Sequence, residues 1–160
     1  MQRRLALLGR VIMRGFLFAL ALLPGLACAE GLYVLPVKLL DTSKEALDQS
    51  EAHARRQRAF AESLAADLNG TLVSPEEVAA ACPRETPACL MDLLAAKSAD
   101  RGLFIVVQKS STLILQIFTD LMDVKAQKLI AHRELNFRGD NDEGWRRAAR
   151  FLGRQLRELD

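Results

Sequence analysis

From residue 32 onward the apolar positions change period repeatedly, and each change marks an element. Residues 32–40 (LYVLPVKLL) are a nearly continuous apolar, β-prone run, the pattern of a strand covered on both faces. Pro36 cannot donate to a ladder, so it places an edge or a bulge inside that strand. Asp41, Thr42 and Ser43 break the run and offer a helix cap. Residues 44–69 read as a long helix in which Phe60, Leu64 and Leu68 recur every fourth position, stopped by Asn69-Gly70. Thr71 to Val73 is a short strand. Ser74-Pro75-Glu76-Glu77 then starts a helix, with a capping serine, a first-turn proline and a glutamate three residues after the cap. That helix must end before Pro83. Thr86-Pro87 opens another, with Leu90, Leu93 and Leu94 on one face, running to about Lys97.

The second half is β-rich. Leu103 to Lys109 (LFIVVQK) reads as a buried strand, and Thr112 to Asp123 as a longer one that becomes more polar toward its end. Val124 to Gln127 is a tight turn, and Lys128 to Phe137 returns with alternation, so the three strands form an antiparallel meander. Arg138-Gly139-Asp140 ends the sheet, and Asp140 with Glu143 is expected to cap a last helix. Trp145, Ala148, Ala149, Leu152 and Leu156 share one face of that helix, with Trp145 as an anchor in the core, and arginines run down another side. The resulting fold class is α/β: a mixed sheet of about five strands with an antiparallel C-terminal meander, and helices packed mainly on one face.

The N-terminus changes how the bulk numbers are read. Residues 1–29 have the parts of a removable signal peptide: a basic start (Arg3, Arg4, Arg10, Arg14), an apolar run from Phe16 to Leu23, and Ala27-Cys28-Ala29 before the cut at Glu30. The run is shorter than the roughly 20 residues that cross a bilayer. A lipidated Cys28 is the weaker alternative, because Gly25 stands where a lipoprotein signal prefers leucine. The expected location is therefore the periplasm, with residues 30–160 as one domain and membrane attachment only through lipid on Cys28. The leader takes four of the 22 Lys and Arg and none of the 20 acids, leaving 18 against 20 and a net charge of −2. The basic balance of the whole chain is thus no sign of nucleic-acid binding. Of three cysteines, Cys82 and Cys89 remain, and in an oxidising compartment two nearby cysteines read as a disulfide. Metal binding is the rival reading, but two thiols without a histidine nearby make a poor zinc site.

Candidate chemistry is sparse. His53 sits among charged residues on a polar helix and His132 on a strand, and each reads as a surface or satisfied strand histidine rather than a ligand. Ser110 or Ser111 with His132 and Asp120 lacks any nucleophile elbow. Asp140 to Gly144 resembles a calcium loop, but glycine is fifth and Phe151 holds the twelfth position, where glutamate is required. No Gly-rich phosphate loop is present, no cofactor is assigned, and no catalytic residues are identified. The arginines of the last helix (Arg146, Arg150, Arg154, Arg157) fit a solvated face, or a face for anionic lipid or an acidic partner.

One stretch is recognisable as a whole. Gln108-Lys109, Ser111, Leu113-Ile114-Leu115, Asp123-Val124, Arg138-Gly139, Asn141, Asp142-Glu143 and Trp145-Arg146-Arg147 together resemble the signature of an uncharacterised bacterial secreted family, domain of unknown function 2380. The element order is more distantly similar to the N-terminal domain of TolB and to curli-secretion and penicillin-binding-protein-activator lipoproteins. These resemblances imply a non-enzymatic interaction or assembly module with an envelope protein as partner. The family's association with quinoprotein dehydrogenases implies the alternative, a small-ligand or metal-binding accessory protein. The expected partner surface comprises Lys109, Ser111, Arg138, Asp142, Glu143, Arg146 and Arg147. On this reading the exported protein begins at Glu30. Intact mass and N-terminal sequencing should show a free Glu30, whereas a diacylglycerol adduct on Cys28 would move it to the lipoprotein class.

Overall fold

The computed structural model describes residues 31–159, and the expected signal peptide, with Cys28, lies outside them. Two short strands, β1 (Leu32–Val34) and β2 (Lys38–Asp41), lie end to end along one side of β4 (Arg101–Lys109), both parallel to it. The expected single strand is therefore interrupted at Pro36, whose missing N–H breaks the ladder. Helix α1 (Ser50–Asp67) begins later than its periodicity indicates, because residues 42–49 form a connecting loop. It leads to β3 (Thr71–Leu72), which pairs in parallel with β1. Helices α2 (Pro75–Ala81) and α3 (Pro87–Ala96) start where expected. Ser74 Oγ accepts from Glu77 N at 3.1 Å, and Thr86 Oγ1 accepts from Cys89 N at 3.4 Å. Strands β4, β5 (Leu115–Asp123) and β6 (Lys128–Phe137) form the meander. Strand β5 starts three residues later than expected, because residues 110–114 form the turn. Helix α4 (Asp142–Arg157) closes the chain. The sheet order is β3-β1-β4-β5-β6, with β2 beside β4.

Alternation along β4 divides the core between two faces. Leu103, Ile105 and Val107 meet α1 and α4 through Phe60, Leu64, Ala148, Ala149 and Leu152, all buried. Gly102 and Phe104 lie on the opposite face under α2 and α3, where Val78, Met91, Leu94 and Val124 form a second, smaller cluster. The long helices thus take one face and the short pair covers one end of the other. The Cys82 and Cys89 sulfurs are at bonding distance, 2.08 Å, joining the end of α2 to the first turn of α3. In the main core Trp145 meets Phe60 and Phe137 edge-on, with ring centroids 5.9 and 5.7 Å away. Such aromatic pairs add about 0.5–1.5 kcal/mol each beyond the area they bury.

Asn141, rather than Asp140, caps α4. Its Oδ1 accepts from Gly144 N at 2.9 Å, while Glu143 stays in the first turn beside the arginines. Gly144 is the residue this join depends on. A Cβ there would stand 2.3 Å from the carbonyl oxygen of Gly139, a backbone atom that no rotamer change can move. Gly144→Ala should therefore cost about 2–3 kcal/mol in urea denaturation, more than overpacking against a movable side chain, with the native sheet signal retained in far-UV circular dichroism.

Candidate functional site

The pleat that buries Leu103, Ile105 and Val107 also turns Lys109 inward, and its side chain is completely buried. A buried ammonium needs opposite charge and hydrogen bonds on every side. Lys109 Nζ has Glu45 Oε2 at 2.9 Å, Asp140 Oδ2 at 3.0 Å and Asp41 Oδ2 at 3.3 Å. Burial alone would push its pKa down, but these three carboxylates outweigh burial and raise it.

Asp140 is the second centre, with a side chain only 1% exposed. His53 Nε2 lies 2.7 Å from Oδ2, and Arg56 Nη1 and Trp145 Nε1 each donate to Oδ1 at 3.0 Å. An ionised carboxylate only accepts, so the proton in the His53 pair sits on Nε2. Burial pushes the carboxyl up, yet hydrogen bonds from His53, Trp145 and Lys109 prevail and hold it at about 2. Arg56 also reaches Asp142 Oδ1 through Nε at 2.8 Å, carrying the network to the surface. The node therefore joins β2 and its following loop, α1, the end of β4 and the entry to α4.

Above the node lies a corner built from two turns. Gly139, at φ +88°, donates to Leu113 O at 3.3 Å, and Asp140 N donates to Thr112 O at 2.8 Å. The Ser111 hydroxyl accepts from the backbone N–H of Leu113 and of Ile114, each at 3.2 Å. As a result Leu113 and Ile114 project outward, 67% and 54% exposed. Arg138, Asp142, Arg146 and Arg147 are exposed in the segment that follows, with Glu143 half-buried and paired to Arg146.

Of the residues expected to form a partner surface, Arg138 adjoins the Gly139–Leu113 contact, whereas Asp142, Glu143, Arg146 and Arg147 lie on the first turns of α4. Lys109 belongs to the buried node and cannot present its charge to a partner, because its place on the inward face of β4 leaves no room for the side chain to turn out. Ser111 acts through the backbone of the turn. His132 and Asp120 face each other across β5 and β6 at 2.6 Å, about half exposed. Ser110 and Ser111 lie beyond the far end of the β4–β5 ladder, which closes at the Lys109–Leu115 pair. The sequence reading missed Asp41, Glu45, His53, Arg56 and Asp140 as one network. The signal for its centre was present, since Lys109 continues the odd-numbered apolar positions of β4. Among the described residues, no group of three or more His, Cys, Asp or Glu is arranged to hold a metal ion.

Residues 30–156 match the family model described as "Protein of unknown function (DUF2380)". The chain belongs to that family. The match includes every described strand and helix except the last residue of α4, and the signature residues at the corner are thus family sequence. No curated protein sequence matches the chain. Among solved structures, lipoprotein GNA1162 from Neisseria meningitidis is similar at 12% identity over 80% of this chain and 98% of its own, with a TM-score of 0.50. The LpoB C-terminal domain from Salmonella enterica aligns at 14% identity over 67% of this chain and 82% of its own, with a TM-score of 0.46. TolB from Acinetobacter baumannii aligns at 13% identity over 81% and 28%, with a TM-score of 0.48. The Neisseria likeness shows a shared fold.

The depressed pKa of Asp140 has a definite sign. A carboxyl at about 2 in the fold and 3.8 unfolded adds stability that is complete above pH 4 and is lost as pH falls toward 2. The shift corresponds to about 2 kcal/mol. Urea denaturation between pH 5 and pH 2, a range set by these values, should show this loss in the parent chain and a correspondingly shallower fall in Asp140→Asn. At neutral pH the variant should be less stable by about 3 kcal/mol, since Lys109 and Arg56 lose their shared acceptor.

Proposed function

We propose that this protein is an exported, non-catalytic docking module that holds an envelope protein at the corner formed by the β4–β5 turn and the entry to α4. One observation carries the reading: two adjacent aliphatic side chains, Leu113 and Ile114, stand in solvent on a turn fixed from below by a buried ionic network. Exposed aliphatic residues on a mobile loop would lose much of their binding energy to ordering, and a preorganised corner avoids that cost. The rim has both signs of charge, with Arg138, Arg146 and Arg147 beside Asp142 and Glu143, as protein interfaces commonly do. Strand β6 ends at the same corner, and its outer side lies at the edge of the sheet, so a partner strand could extend the contact by backbone pairing. The fold shared with a lipoprotein, the disulfide and the leader all agree with residence in the envelope.

The reading is tested by a photo-crosslinking amino acid placed at position 113 or 114 in cells, with position 62 on the exposed side of α1 as the control. A discrete protein adduct at 113 and 114, absent at 62, is the expected result. Adducts of equal pattern at all three positions, or none at the corner, would remove the proposal. Replacing Leu113 and Ile114 with serine should abolish recovery of that partner while changing stability by no more than about 0.5 kcal/mol each, as surface substitutions do.

A further inference from the structure

The end of the fold opposite the docking corner carries a different surface. Leu32, Arg101, Leu68 and Leu156 line one small void, so the start of β1 lies beside the last turns of α1 and α4. Strand β4 spans about 27 Å from Arg101 to Lys109, and that length separates this end from the corner. Helix α4 runs back along it and carries arginines at positions 146, 147, 150, 154 and 157, with no lysine.

The arginines divide into two groups. Glu143 is shared by the first turns, contacting Arg146 and lying 4.0 Å from Arg147 and 3.9 Å from Arg150. Farther along, Arg154 stacks over Phe151 at 5.5 Å, and Arg157 lies 3.7 Å from Asp67. Phe151 is 46% exposed between Arg150 and Arg154, although it stands on a helix whose other face is fully used in the core. Glu158 follows in the chain, and Asp67, Asp100 and Asp123 also lie toward this end. A half-exposed aromatic among guanidinium groups matches the chemistry of a phospholipid headgroup layer: arginine forks bind phosphate in pairs of hydrogen bonds, and the ring reaches the acyl boundary.

Position in the chain adds support for the form in which Cys28 is kept and lipidated, and none for a chain cut before Glu30. Gly31 begins beside this same end, and Cys28 precedes it by three residues, a reach of about 10 Å at most. Leu23, the last residue of the apolar run, is eight residues away, within about 28 Å. Any membrane attachment through the leader or Cys28 therefore brings this end of the fold to the bilayer. We infer that the C-terminal half of α4, with Arg150, Phe151, Arg154 and Arg157, is a membrane-facing surface that binds anionic phospholipid headgroups. The docking corner then points away from the bilayer.

The test uses the chain from Glu30 onward, which contains every described element, in sedimentation with vesicles of phosphatidylcholine alone or with about a third phosphatidylglycerol. Binding to the anionic vesicles at about 50 mM salt, lost near 0.5 M, is expected, as is no binding to the neutral ones. The double variant Arg150→Glu/Arg154→Glu should lower the partition coefficient at least about tenfold, given the contribution of each basic residue near such a surface. Phe151→Ala should lower it severalfold, and Leu113→Ser/Ile114→Ser should leave it unchanged. Equal binding to neutral vesicles, no binding to anionic vesicles, or full binding by a folded double variant would overturn the inference. So would retention on an acidic polypeptide matrix without vesicle binding. Because the corner variant keeps its lipid binding, failure of this inference and failure of the docking reading are separable.

Discussion

The contact between Lys109 and Asp140 is the constraint on which the rest of the molecule is arranged. Both side chains are buried, and neither could stay charged there alone. Each is held only because groups distant in sequence converge on it: Asp41 and Glu45 from the loop after β2, His53 and Arg56 from α1, and Trp145 from α4. An apolar pair of equal volume could match its net stability, because desolvation offsets much of the Coulomb attraction. Directed hydrogen bonds add a unique relative position for four segments, which apolar packing specifies less sharply. The buried Trp145 ring shows the two modes joined, its edge packed on Phe60 and Phe137 and its N–H spent on Asp140.

Much of the architecture was legible from local pattern. The apolar run of β4, the alternation in β6, the Ser-Pro and Thr-Pro helix starts, and the apolar face of α4 are short-range signals, and each element formed where its signal lies. The misplacements have local physical causes too. Residues 42–49 are rich in good helix formers, but Glu45 is drawn to Lys109 and the segment stays a loop. Asp140 had the composition of a cap, and Asn141 took that role because the carboxylate of Asp140 satisfies a buried cation instead.

The node itself was less legible, because its members are 31 and 87 residues apart in two of their pairings. Nothing in a local window says that a histidine among arginines on a polar helix will meet an aspartate after the last strand. Half of the clue was available in the pleat, which put Lys109 in line with Leu103, Ile105 and Val107. A lysine at an inward strand position must find acids or turn out, and the three candidate acids flank elements that end near β4. The family signature points the same way, since Gln108-Lys109 and Arg138-Gly139 are the two halves of one corner.

The corner and the arginine-bearing end make the fold polar along its strands. Lys109 anchors one end, where β4 leaves the core for the Leu113–Ile114 turn, and the chain enters at the other, beside Arg101. The sheet transmits position along its length with little compliance, since β4 and β5 are held by ladders on both sides and by packed helices. The proposed surfaces therefore have a fixed spacing, about the length of β4. A tether at the N-terminus would hold the aliphatic corner at a defined height above the bilayer, and the ionic node would keep that corner from splaying. On this view the buried charge and the exposed leucine are parts of one device: the first fixes where the second stands.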